Sequence, residues 1–105
     1  MLSNYKKIKQ VIKGKKYDLF VAKTDKQKKI GLSSLKKIKK NQGMFFPYGE
    51  EKPKRSFTMK NVNFPLTIIF LDRNMKIIYA EKGLANQRNL IVCEKPSMYV
   101  IEIPC

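Results

Sequence analysis

The run Met59-Lys60-Asn61 is the most chemically suggestive group in the chain. It sets a cation beside an amide that both donates and accepts, a combination suited to a carboxylate or a phosphate. The plainer alternative has Asn61 serving a turn through local backbone bonding while Lys60 points to water. Nucleophilic catalysis has little to work with. The sequence contains no His, so Cys93 would depend on neighbouring cations alone to become a thiolate, and its place in the strand-like Leu90-Ile91-Val92-Cys93 suits a buried thiol. Asp72 and Glu102 could form a carboxylate pair, but Asp72 stands at a hairpin corner, where Asp commonly bonds the turn. With two Cys and no His, the usual ligand set of a zinc or transition-metal site is missing. No catalytic residue, metal or cofactor is therefore expected, and the chain reads as a non-enzyme.

A second feature is charge. The 105 residues carry 23 Lys and Arg against 8 Asp and Glu, a net charge of +15. The excess is uneven: residues 1–60 hold 18 against 4, and residues 61–105 hold 5 against 4. The clusters that could meet phosphates are Lys15 and Lys16, Lys28 and Lys29, and Lys36, Lys37, Lys39 and Lys40. Such a field attracts nucleic acid, an anionic membrane or an acidic protein surface, unless lysine here is only a generic solvated residue. The few interleaved aromatics argue against a single-strand stacking platform, leaving backbone-level contact with a polyanion.

These groups are carried by short β elements. Residues 7–24 read as two strands about a tight turn at Gly14 and Lys15, which puts Lys15 and Lys16 at a hairpin tip. Thr24-Asp25-Lys26-Gln27 has the form of a capping box, predicting a helix from Asp25 to about Leu32. Residues 33–42 read as an irregular segment pinned by Leu35 and Ile38, with its lysines exposed. Strands follow at 44–48, 56–60, 65–72, 75–81 and 98–103, with a hairpin at Arg73-Asn74. Met44, Phe45, Phe46, Phe57, Met59, Phe64, Ile68, Phe70 and Val100 form the expected core. The fold class is mainly β, a single small antiparallel β-barrel or jelly-roll-like sandwich with one short helix, and residues 1–105 read as one domain.

Gly31-Leu32, Gly43-Met44-Phe45-Phe46, Phe57-Thr58-Met59-Lys60-Asn61, Pro65 to Asp72 and Tyr99 to Pro104 resemble, in order and spacing, the family catalogued as domain of unknown function 192. Its pattern runs roughly GLM, GMLF, FWMKNT, PLDIIFID, YVLELPAG. The resemblance implies a compact β-barrel or jelly-roll-like domain with a short helix after the second strand, and it brings no settled activity. Four positions depart from the pattern: Thr58 replaces a Trp, Thr67 an Asp, Lys28 an Arg and Ser33 a Met. The chain also stops at Cys105, where members usually continue through a glycine and a last strand, so a C-terminal sheet edge is expected to be open to another copy or a partner.

The leading expectation is a binding or assembly domain that presents a lysine-rich face to nucleic acid or an acidic protein. One alternative is a small-ligand-binding or accessory enzyme domain around Lys60 and Asn61. The other is a structural subunit of a virion or multi-chain particle. No run has the length of a secretory signal or a membrane span. A cytoplasmic protein with reduced cysteines is thus expected, a virion being the other setting.

Overall fold

The computed structural model describes residues 2–105. The first two strands, β1 (Lys7–Ile12) and β2 (Lys15–Val21), pair antiparallel as the alternation predicts. Their turn is Lys13-Gly14, one residue earlier than expected, with φ of 49° and 81°. Two consecutive positive φ values match the right-handed twist of a hairpin. Lys15 and Lys16 are consequently the first residues of β2, opposite Ile12 and Val11.

Thr24 caps α1 (Asp25–Ile30) with the reciprocal bonds of a capping box: the Gln27 amide donates to Thr24 Oγ1 at 3.0 Å, and the Thr24 amide donates to Gln27 Oε1 at 3.1 Å. The helix stops two residues short of Leu32 because Gly31 adopts φ 53°, ψ −133°, a conformation that side chains strongly disfavour. Leu32 is thereby turned into the core, 1% exposed. Residues 31–41 then cross the face of the sheet and enter β3 (Gln42–Lys52) parallel to β2. This parallel pair departs from the expected all-antiparallel arrangement. Crossovers of this length permit it, whereas a two-residue hairpin does not.

The remaining strands are β4 (Arg55–Phe57), β5 (Leu66–Leu71), β6 (Ile77–Gly83), β7 (Ile91–Cys93) and β8 (Ser97–Pro104). The run 56–60 is a strand only through Phe57, since Met59 to Val62 form a turn closed by a Val62 amide bond to the Met59 carbonyl at 3.0 Å, with Asn61 at φ 62°. Asp72 serves the β5–β6 hairpin, its Oδ1 accepting the amides of Asn74 at 2.8 Å and Lys76 at 3.0 Å.

Six strands form one sheet in the order β1-β2-β3-β8-β5-β6, and β4 and β7 form a second. The large sheet does not close: β1 and β6 are its free edges. A sandwich-like fold is therefore observed rather than a closed barrel. The C-terminal strand is not an edge either. β8 pairs with β3 on one side and β5 on the other, so the open C-terminal edge expected above is absent.

One face of the sheet packs Phe20, Met44, Phe46, Ile68, Phe70 and Val100 against Leu32 of the crossover, Met59, and Ile91 and Cys93 of β7. The other gathers Ile12, Tyr17, Leu19, Phe45, Ile69, Leu71, Ile101 and Ile103, all from the sheet itself. Burial of this second cluster requires the twisted sheet to curl around it. At the β2-β3-β8 junction Gly43 is obligatory, because a Cβ there would lie 2.3 Å from the Glu102 carbonyl oxygen. Among the described residues no helix is long and apolar enough to cross a membrane.

Candidate functional site

Alternation along β8 sends Val100 and Glu102 to the face covered by α1 and β4–β7, and Ile101 and Ile103 to the curled face. An acid therefore stands where the strand pattern calls for an aliphatic residue, in register with Met44 on one side and Ile68 on the other. Glu102 is 4% exposed. Among the described residues the only ion pairs are Lys9–Asp18 and Arg73–Glu51, so no cation lies within ion-pair reach of its carboxyl. Burial pushes that carboxyl up to about 8, because the charged form loses its hydration.

Glu102 is buried against protein but not sealed off. It lines a half-open cavity of about 490 Å³ together with Lys28 to Ser33, Phe46 and Tyr48, Ser56 to Thr58, and Lys60 to Val62. Besides β8, four chain segments build it. The end of α1 supplies Lys28 and Lys29, and β3 supplies Phe46 and Tyr48. β4 supplies Ser56 and Phe57, whose ring meets Phe46 edge-on at 5.2 Å between centroids. The turn after β4 supplies Lys60 and Asn61. The crossover and this turn are tied together by the Ser34 amide donating to the Asn61 carbonyl at 2.8 Å and by Asn63 Nδ2 donating to the Leu35 carbonyl at 2.9 Å. Its lining combines the exposed Lys29 and Lys60, the half-buried Lys28, the rings of Phe46, Tyr48 and Phe57, and the buried Glu102 at its base.

Tyr48 and Lys28 line both this cavity and a smaller neighbour of about 330 Å³ whose lining includes Asp25, Glu50, Lys52 and Arg55. The Arg55 guanidinium lies 3.8 Å from the Tyr48 ring centroid and Lys28 Nζ lies 5.4 Å from it. Contacts of this kind hold cations by the ring quadrupole. Arg55 is itself fixed by donating from its terminal nitrogen to the Glu50 carbonyl at 2.6 Å and from Nε to the Ser97 carbonyl at 3.3 Å. Burial pushes the Tyr48 hydroxyl up to about 12, with Arg55 pulling against the rise and Glu102 adding to it.

Of the predicted ligand residues, Lys60 and Asn61 line the cavity, while Met59 is fully buried beneath Gly83 and does not line it. Of the predicted lysines, Lys28 and Lys29 belong to the cavity. Lys15 and Lys16 stand on the β1–β2 hairpin, and Lys36, Lys37, Lys39 and Lys40 are exposed on the crossover. The Asp18 to Gln42 register places the start of β2 beside the start of β3, so hairpin and crossover lysines share one end of the sheet. Cys93 is buried, Cys105 is exposed, and both are free.

Glu102, Tyr48 and Arg55 were not singled out as binding residues from sequence. The available signal was in β8: Met98 to Ile103 offers apolar residues to both faces, the mark of a strand covered on both sides, so its one acid must be buried. Three of the four departures from the family pattern, Lys28, Ser33 and Thr58, line this cavity. The fourth, Thr67, lies on β5 with Oγ1 3.2 Å from Cys105 Sγ.

A protein-family model, that of DUF192, described as an uncharacterized ACR, matches residues 7–105. No curated protein matches. Two crystal structures are similar. One, from Sinorhizobium meliloti 1021, is named as a candidate transcription regulator; it is 26% identical, with TM-score 0.81, over 96% of this chain and 82% of its own. The other is a protein of unknown function from Novosphingobium aromaticivorans DSM 12444, 17% identical, with TM-score 0.77, over 98% of this chain and 84% of its own.

Proposed function

This chain belongs to the DUF192 family, and on that premise we propose that it is a binding domain whose site is the cavity above Glu102. The observation that carries this reading is a buried acid, without an ion-pair partner among the described residues, at the base of a cavity open to solvent. Burying a carboxyl in place of an aliphatic side chain costs several kcal/mol if it is charged, by an order-of-magnitude estimate. A ligand group that bonds it offsets that cost. The volume lies within the range of roughly 300–1,000 Å³ common to small-molecule sites. A binding rather than catalytic role is supported by the location of the other reactive groups, since Cys93 and Asp72 lie outside the cavity lining. Titration of the isotope-labelled protein with a library of small polar molecules tests the proposal. Shifts centred on Glu102, Tyr48, Lys60 and Asn61 are expected, and shifts confined to Lys15, Lys16 and the crossover lysines would overturn it.

A second reading is favoured by the topology. The hairpin and crossover lysines lie at one end of the sheet, which suits contact with a polyanion, and a similar structure is named as a candidate transcription regulator. Binding to a nonspecific duplex should then weaken with salt, with a log-log slope of about 0.9 for each phosphate neutralised. Absence of binding at low salt removes this reading and leaves the cavity untouched.

A further inference from the structure

The cavity lining holds charge of both signs, a buried acid and exposed lysines. At the base, Glu102 faces Lys28 and Lys29 of α1, Tyr48 of β3, Arg55 beyond Tyr48 on β4, and Lys60 of the turn, yet it pairs with none of the cations. At the opening, Lys29 and Lys60 are exposed and also unpaired among the described residues. Phe46, Phe57 and Val62 supply apolar lining to the same cavity. Resting on the cavity reading above, we infer that the site takes a small zwitterion of amino-acid type, its ammonium against the Glu102 carboxyl and its carboxylate toward Lys29 and Lys60.

Elimination supports the assignment. A simple anion such as phosphate satisfies the lysines but leaves the acid at the base without a partner. A simple amine satisfies the acid, but it must enter past lysines on a chain of net charge +15, whose field opposes its approach. A molecule with an ammonium and a carboxylate a few bonds apart satisfies both ends, and any apolar side chain it carries meets the Phe46 and Phe57 rings. Charge-assisted hydrogen bonds of this kind are stronger than neutral ones.

The pairing also predicts where a proton goes. Unliganded Glu102 holds its proton near neutral pH, since its carboxyl is pushed up to about 8 by burial. An ammonium at the base favours the carboxylate, so Glu102 gives its proton to solvent as the ligand binds while the amine keeps its own.

The test is calorimetry and side-chain NMR on the whole chain at pH 7. The twenty standard L-amino acids are titrated singly, then the tightest is compared with its N-acetyl derivative, its decarboxylated amine and inorganic phosphate. The expected result is an amino acid at least tenfold tighter than each of these three, with close to one proton released per ligand when measured in two buffers of different ionisation heat. Glu102→Gln should weaken that amino acid at least tenfold and abolish the proton release. Equal or tighter binding of the N-acetyl derivative, the amine or phosphate overturns the assignment, as does failure of all twenty. Phenol, titrated in parallel, separates the two levels of the argument. If phenol alone shifts Phe46 and Phe57, the cavity stands and the zwitterion falls; if nothing shifts them, both fall.

Discussion

On the curled face of the six-stranded sheet, the buried apolar cluster is aliphatic and aromatic and comes entirely from the sheet. Across the same strands, the opposite face is covered by the α1 crossover and the β4–β7 ribbon, and it contains one acid and a cavity. The two faces share β8, residue by residue: Ile101 and Ile103 on one, Val100 and Glu102 on the other. The difference teaches how a small fold separates tasks. A face that seals itself can be packed for stability alone, whereas a face covered by separate segments leaves gaps where those segments meet.

Removing packing from the sealed face should have the largest effect. Ile101 is 1% exposed between Phe45 and Ile69 in register. Ile101→Ala is expected to cost about 4 kcal/mol of stability, measured by urea unfolding, with ligand affinity of the surviving folded fraction unchanged. A comparable loss of affinity would mean that the two faces are not separate.

The covered face should show itself through pH. The folded-state carboxyl of Glu102, at about 8, lies above its ordinary 4.5, so between those values the folded chain holds a proton that the unfolded chain has lost. Stability should therefore fall as pH rises from about 5 to about 8 and level off above, with a total loss of about 5 kcal/mol at most. Glu102→Gln should flatten this slope. Unfolding midpoints at five pH values for both proteins would show it, and an unchanged slope in the variant would place the titration elsewhere.

The smallest effect sharpens the boundary between segments. Thr24→Ala removes the acceptor for the Gln27 amide and should cost about 1 kcal/mol. Because α1 carries Lys28 and Lys29 to the cavity, hydrogen exchange should quicken in residues 25–32 while β8 and β5 keep their protection. Uniform quickening would show that the crossover and sheet open as one unit.

Elements with strong local chemistry were legible in the sequence. The capping box at Thr24, the β1–β2 hairpin, the Asp72 turn and the core strand at 66–71 all rest on bonds or alternation within a few residues. Positions governed by distant partners were not. The strand predicted through Lys60 ends at Phe57 because Asn61 takes a left-handed turn that the crossover bonds from the other side. Lys60 and Asn61 were found as a pair, but Glu102 lies 41 residues further on, and only the cavity lining joins them.

The sequence by itself determined the family and the strand-rich class, because motif spacing and alternation are properties of the chain alone. It also determined that positive charge gathers in the first sixty residues. Tertiary structure decided that the C-terminal strand lies in the middle of the sheet, that the sheet stays open, and that Glu102 is buried in a cavity it shares with Lys28, Lys29 and Lys60. The physical reason is that strand order and burial depend on which surfaces meet, and those meetings join residues far apart in sequence.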